Sequence, residues 1–152
     1  MNYQFEFLEK AAQQVISIRT RSSVGNLPQV LGGAYGSIMN YLNEIGVEPA
    51  GVPFVGYFNM DMHDLDIEVG FPVSKPLAGK GELKPGEIPA GPQVSCIHIG
   101  PYNQVEPAYN AIMEWIAANG HTPTGVCYEF YLNDPANTSE SELLTKLVFM
   151  LK

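Results

Sequence analysis

Apolar positions along this chain switch between two periods, and each switch predicts an element. Residues 13–20 hold Val15, Ile16 and Ile18 in a run that predicts a strand. Leu27, Leu31, Ala34, Ile38, Tyr41 and Ile45 follow at steps of three and four, the spacing of one helix face. Asn26 stands where an N-cap belongs, Pro28 falls in the first turn, and Gly46 marks the end. Pro49 and Gly51 predict a turn, and residues 52–58 a second strand. In residues 65–71, Leu65, Ile67, Val69 and Phe71 alternate with Asp66, Glu68 and Gly70, which predicts a third strand with one buried face.

A stretch rich in Pro, Gly and Lys, residues 72–92, breaks the pattern and reads as a linker, with a short strand near Glu87 and Ile88. The pattern then resumes. Residues 93–99 predict a strand. A helix is expected after Gly100-Pro101-Tyr102, with Val105, Ala108, Ile112, Trp115 and Ile116 on one face and Gly120 at its end. Pro123 and Gly125 turn the chain, 126–132 predict a strand, Asn133–Ser141 a polar loop, and 142–151 the last strand.

The order strand, helix, strand, strand thus occurs twice. Gly46, Pro49, Gly51 and Tyr57 each precede Gly120, Pro123, Gly125 and Tyr131 by 74 positions (120 − 46), and Tyr41 precedes Trp115 by the same interval. Gln14-Val15 returns as Gln93-Val94 at an interval of 79. Matching turn residues at one interval indicate an internal duplication, with repeats at about 13–73 and 92–152 and a linker at about 74–91. A helix between strands must cover a sheet face. The predicted fold class is α+β: one domain over 1–152, with duplicated units forming an antiparallel sheet, two helices on one face and a cleft between them. Such a cleft is a common place for a small-molecule pocket.

Composition narrows the function. The chain has 152 residues, enough to bury a core without disulfides or metals. Charged residues make up only 16%, against 11% aromatic, so some apolar surface is expected to serve binding. The net charge is −8 with no Lys/Arg cluster, which disfavours direct nucleic-acid binding and weakly favours a neutral or positive ligand. Cys96 and Cys127 lie in apolar runs, and no secretory signal or membrane-spanning run is visible. Two buried thiols in a reducing cytoplasm are expected. No Cys/His spacing resembles a zinc site. Asp61, His63, Asp64, Asp66 and Glu68 do not follow the spacing of a calcium loop, and a solvated acidic edge is expected there. No metal and no cofactor is expected.

Glu129 is the leading candidate for chemistry. It lies in the apolar run Cys127-Tyr128-Glu129-Phe130-Tyr131, on the same strand face as Cys127 and Tyr131. Its counterpart in the first repeat is Val55. A carboxylate among aromatic rings is desolvated, which makes its charge costly unless paired. A cationic ligand supplies the pair, and aromatic faces add cation–π attraction. The competing reading has Glu129 satisfied by a tyrosine hydroxyl or by Arg19, or facing solvent. Tyr41 and Trp115, at matching helix positions, either pack in the core or wall the cleft. Tyr102 either packs at its turn or touches ligand, and His98 is read as a strand histidine.

Several segments together resemble one family. Asp66-x-Glu68-x-Gly70-x-Pro72-Val73, Ile88-Pro89-Ala90-Gly91, His98-x-Gly100-Pro101-Tyr102, Trp115-Ile116 before Gly120, and Tyr128-Glu129-x-Tyr131-Leu132-Asn133-Asp134-Pro135 resemble the GyrI-like small-molecule-binding domain. This domain also serves as the effector-binding part of some AraC-type and MerR-type transcription regulators. The resemblance runs from about Val15 to Leu151. It implies a duplicated strand–helix–strand–strand fold and a strand glutamate at Glu129 that meets aromatic, cationic or amphipathic ligands. Tyr57, Tyr131, Trp115, Tyr41 and Tyr102 are expected around it. The chain contains no helix-turn-helix module, so a stand-alone sensor or sequestering protein is expected. Two alternatives follow from the resemblance: a hydrolase of reactive cyclopropane-type electrophiles with Glu129 as general base, and a protein-interaction role with gyrase or a separate DNA-binding subunit.

Overall fold

A computed structural model describes residues 3–152. The fold is α+β, with antiparallel strand pairing throughout the named ladders. The described residues form two compact units, residues 11–90 and residues 3–10 with 91–152.

In the first unit, β2 (Gln13–Ser22) leads through a 3₁₀ turn, Val24–Asn26, into α1 (Leu27–Ile45). Then come β3 (Phe54–Tyr57), β4 (Leu65–Pro72) and β5 (Lys84–Ile88), in spatial order β3-β4-β2-β5. The second unit begins with β1 (Glu6–Lys10) and continues with β6 (Gly91–Ile99), α2 (Glu106–Ala118), β7 (Pro123–Tyr131) and β8 (Leu144–Leu151), in spatial order β1-β6-β8-β7.

The duplication holds at the level of individual contacts. Ala34, Ile38 and Leu42 are the buried stripe of α1, and their counterparts 74 positions on, Ala108, Ile112 and Ile116, are the buried stripe of α2. Both helices end on a left-handed glycine, Gly46 at φ 69° and Gly120 at φ 72°. The next residue then closes the last turn the same way, Val47 N–H to Leu42 O at 2.9 Å and His121 N–H to Ile116 O at 3.0 Å. A glycine at that position carries no Cβ penalty for the left-handed backbone. The aromatic partners are repeated too. Tyr35 meets Phe71 edge-on at 5.5 Å, and Tyr109 meets Phe149 edge-on at 5.8 Å.

Register corrects one predicted correspondence. Val69 lies opposite Val55 and Ile18, and Leu147 lies opposite Glu129 and Cys96. Ile18 therefore matches Cys96 at an interval of 78 (96 − 18), one short of the 79 suggested by Gln14-Val15 and Gln93-Val94. A slip of one residue on a strand reverses every side chain, so the dipeptide match is not a structural one.

Other departures are local. Asn26 makes no side-chain cap; Ser23 Oγ accepts from the Asn26 N–H at 3.3 Å, capping the 3₁₀ turn that precedes α1. Ile45 was expected on the buried face but is exposed, while Leu42 is fully buried, because the stripe rotates off the sheet in the last turn. Strand β1, which the apolar pattern did not reveal, pairs with β6 from Glu6 opposite Ser95 to Lys10 opposite Gly91. The short strand expected near Glu87 and Ile88 is present as β5, bonded to β2 and starting at Lys84. Gly70 is dictated by packing: a Cβ there would sit 2.5 Å from Ile16 O and 2.8 Å from Ser17 Cβ.

No helix among the described residues is long and apolar enough to cross a membrane.

Candidate functional site

The face of the second unit that α2 covers carries three cross-strand rows. Reading across β6, β8 and β7, they are Val94-Phe149-Cys127, Cys96-Leu147-Glu129 and His98-Thr145-Tyr131. All nine side chains point to one side because alternate strand residues do. Ala108, Ile112 and Ile116 of α2 are buried above them, and Tyr109 reaches down from the same helix.

Glu129 lies half-buried in the middle row of this face, on β7 beside Leu147. Tyr109 donates its hydroxyl to Oε2, and Tyr131 donates to Oε1 at 2.9 Å. Each carboxylate oxygen thus has a phenol donor, so the tyrosine-hydroxyl alternative holds for the carboxylate itself. Arg19 is engaged elsewhere, forked onto Asp66 at 2.7 and 2.8 Å. Burial pushes the Glu129 carboxyl above its ordinary value. The hydrogen bonds from Tyr109 and Tyr131, and then the nearness of His98, pull in the opposite direction but do not cancel it.

Tyr102, in the 3₁₀ turn Tyr102–Gln104, meets Tyr131 edge-on at 5.3 Å. Burial, then the charges of Asp134 and Glu129, raise its phenol. Its ring is 37% exposed, so it borders the site from the solvent side. Cys127 is buried beside Tyr109, and burial, with the Glu129 charge next, drives its thiol up to about 12. Burial alone drives Cys96 to about 11.

The structure therefore brings together Glu129, Tyr131 and Tyr102 of the expected set, and adds Tyr109. Tyr109 was missed because it sits off the apolar stripe of α2; its place 74 positions after Tyr35 was the available signal. The other expected residues have different neighbours. Trp115 stands on the flank of α2 against Phe5, Phe7 and His121, with ring centroids 6.1, 6.2 and 5.8 Å away. Phe7 is on β1, at the opposite edge of this unit's sheet from β7. Tyr41 is buried in the first unit and gives its hydroxyl to Ala78 O. Tyr57 is buried in the first unit, opposite Ile67.

Asp61, His63 and Asp64 are exposed, as expected of a solvated edge, and several carboxylates of the run have partners. Asp66 is held by Arg19, which lowers its carboxyl, and Asp64 takes a hydrogen bond from Arg21 at 3.0 Å. Ser17 donates to Glu68 at 2.7 Å. No group of His, Cys, Asp and Glu among the described residues is arranged to hold a metal ion.

Comparison with known proteins identifies the family and the fold. The family profile described as "GyrI-like small molecule binding domain" matches residues 3–152. Among solved structures, the crystal structure of the EcmrR C-terminal domain aligns at 23% identity and TM-score 0.79, covering 100% of this chain and 99% of that one. The EcmrR–DNA complex aligns at 23% identity and TM-score 0.85, and there the match spans 99% of this chain but only 57% of EcmrR. SAV2435 bound to tetraphenylphosphonium aligns at 11% identity and TM-score 0.64, over 100% of this chain and 94% of that one. A hydrolase from Listeria innocua aligns at 13% identity and TM-score 0.70, over 98% and 92%. At these identities the likenesses establish the fold. No curated protein matches by sequence.

Proposed function

The chain belongs to the GyrI-like small-molecule-binding domain family, and from that premise we propose that it binds amphipathic, cationic aromatic molecules at Glu129. The observation that carries the reading is the carboxylate itself: it sits on a helix-covered sheet face, between two phenols, with its pKa raised by burial. Phenol donors stabilise the ionised form but bring no compensating charge. A bound cation does, and its attraction is strengthened where water is excluded. Tyr131, Tyr102 and Tyr109 supply ring surface for aryl groups and for cation–π contact. That a structural neighbour was crystallised with tetraphenylphosphonium supports this ligand class. On this reading the protein acts in the cytoplasm as a sensor or sequestering module. Calorimetric titration with tetraphenylphosphonium tests the proposal: saturable binding that Glu129→Gln weakens supports it, and binding indifferent to that change refutes it.

A hydrolase reading is favoured by the same raised carboxyl, since a base poised above its usual range accepts a proton from water more readily. Turnover of a strained cyclopropane electrophile, abolished by Glu129→Gln, would establish it; intact substrate after incubation would dismiss it.

A further inference from the structure

Among the described residues, three buried side-chain polar atoms have no hydrogen-bond partner in the protein: Tyr3 Oη, His98 Nδ1 and Thr145 Oγ1. Two of these three belong to residues that lie directly opposite each other in the β6–β8 ladder. Opposed residues on one face have Cβ atoms about 4.5–5.5 Å apart. His98 and Thr145 are 2% and 1% exposed, so bulk water does not serve them.

The chemistry of the pair is defined. His98 Nε2 lies 3.0 Å from Pro101 O, and a carbonyl only accepts, so Nε2 carries the hydrogen. In the neutral ring Nδ1 is then an acceptor. Thr145 Oγ1 both donates and accepts. The matching positions of the first unit are Thr20 and Ile67, so the paired polar atoms are peculiar to the unit that holds Glu129. Tyr131, a donor to Glu129, completes the same row.

We propose that His98 Nδ1 and Thr145 Oγ1 form a polar subsite that holds one hydroxyl-type oxygen, which donates to Nδ1 and shares a hydrogen bond with Oγ1. The oxygen belongs either to a resident water or to the hydroxyl of a ligand; the second source rests on the cation-binding reading of Glu129. Leaving two buried polar groups unmet is costly, and one bridging oxygen satisfies both. The subsite lies one row from Glu129, about 7 Å along the strands. The face then offers a carboxylate for positive charge and, beside it, a hydrogen-bonding point.

The experiment has a ligand-free arm and a ligand arm. A crystal structure of the full chain without ligand is expected to show density within about 2.7–3.2 Å of both atoms if water is the occupant. The ¹⁵N resonance of His98 Nδ1 is expected to shift toward that of an unbonded ring nitrogen in Thr145→Val, with Nε2 unmoved and Thr145→Ser restoring the wild-type position. In the ligand arm, benzyl(2-hydroxyethyl)dimethylammonium is compared with benzylethyldimethylammonium. A preference of fivefold or more for the hydroxylated cation, lost in Thr145→Val, assigns the oxygen to the ligand. Equal affinities with density in the free protein assign it to water. A direct His98–Thr145 hydrogen bond, or a dry gap both in the free protein and with the hydroxylated cation, overturns the proposal. If neither cation binds, the ligand-free arm alone decides it, and the failure then belongs to the cation-binding reading.

Discussion

Replacing Glu129 by glutamine separates the charge at this site from its shape. Glutamine keeps the volume, accepts from one tyrosine through its amide oxygen and can turn its N–H donors toward the other hydroxyl oxygen, so the chief loss is the negative charge. A unit charge pair about 5 Å apart at an effective dielectric near 20 is worth about 3 kcal/mol. Part of that is already offset by desolvating the ligand, so the expected net loss is about 1–3 kcal/mol, or about 5- to 150-fold in Kd. The pH dependence is the sharper signature. Protons and cations compete for the carboxylate, and burial has raised its pKa above the usual range. Tetraphenylphosphonium affinity should therefore fall as pH is lowered through that raised value, approaching about tenfold per unit. The other titratable groups near it are His98, Tyr102, Tyr109, Tyr131 and Cys127. Glu129→Gln should abolish the acid-side loss. Neutral triphenylphosphine oxide, which brings no charge, should bind both proteins alike. Stability carries the opposite sign. The folded protein holds the Glu129 proton more tightly than the unfolded chain, so the stability linked to that proton is present below the unfolded pKa and lost as pH rises through the folded one. The glutamine variant should be at least as stable as the parent at pH 7, with that linked difference disappearing in acid. A cation affinity with the same acid-side profile in both proteins would refute the reasoning.

Four further outcomes are expected. Tyr109→Phe removes a donor from the carboxylate, so Glu129 titrates at still higher pH and the acid-side loss of cation affinity begins earlier, as calorimetry across pH would show. Tyr41→Phe should cost about 1 kcal/mol in urea unfolding, through its lost bond to Ala78, and leave tetraphenylphosphonium affinity unchanged. Gly70→Ala should destabilise by about 1–3 kcal/mol or more in the same assay, because its Cβ meets the Ile16 carbonyl. Cys96 and Cys127, raised to about 11 and about 12, should resist a disulfide-exchange reagent at pH 8 until the chain is unfolded.

The sequence disclosed the two-unit architecture because the helix stripes and the turn glycines obey strong local rules. Gly46 and Gly120 need left-handed backbone, and Ala34, Ile38, Ala108 and Ile112 keep a helical period. Glu129 stood out because a charge in an apolar run breaks the pattern around it. The partners of Glu129 were harder to read. Tyr131 is two residues away on the same strand, so alternation found it, whereas Tyr109 reaches Glu129 from α2, a contact between two elements that no periodicity within either one marks. Trp115 shows the converse. A matched helix position suggested a shared cleft, but position on a helix does not fix which neighbour a flank residue meets. Here β1, invisible to periodicity because Glu6, Glu9 and Lys10 interrupt it, supplies Phe7 as the partner.

What distinguishes the units is a small set of exchanges on one scaffold. Tyr35 and Tyr109 occupy the same helix position and each meets a phenylalanine edge-on, yet Tyr35 gives its hydroxyl to Phe54 O at 2.8 Å and Tyr109 gives its hydroxyl to Glu129. Where the first unit has fully buried Val55, Val69 and Ile67, the second has Glu129, Leu147 and Thr145. At these three positions the first unit carries valine and isoleucine, which leave no polar side-chain atoms to satisfy. The second unit carries instead a carboxylate whose ionisation burial opposes, and a histidine and a threonine with unmet hydrogen-bonding atoms. A buried carboxylate costs stability relative to a well-packed apolar residue of similar volume. Departures from a good local solution that gather on one face are where a functional site is to be sought. The apolar twin within the same chain serves as the internal reference for that cost.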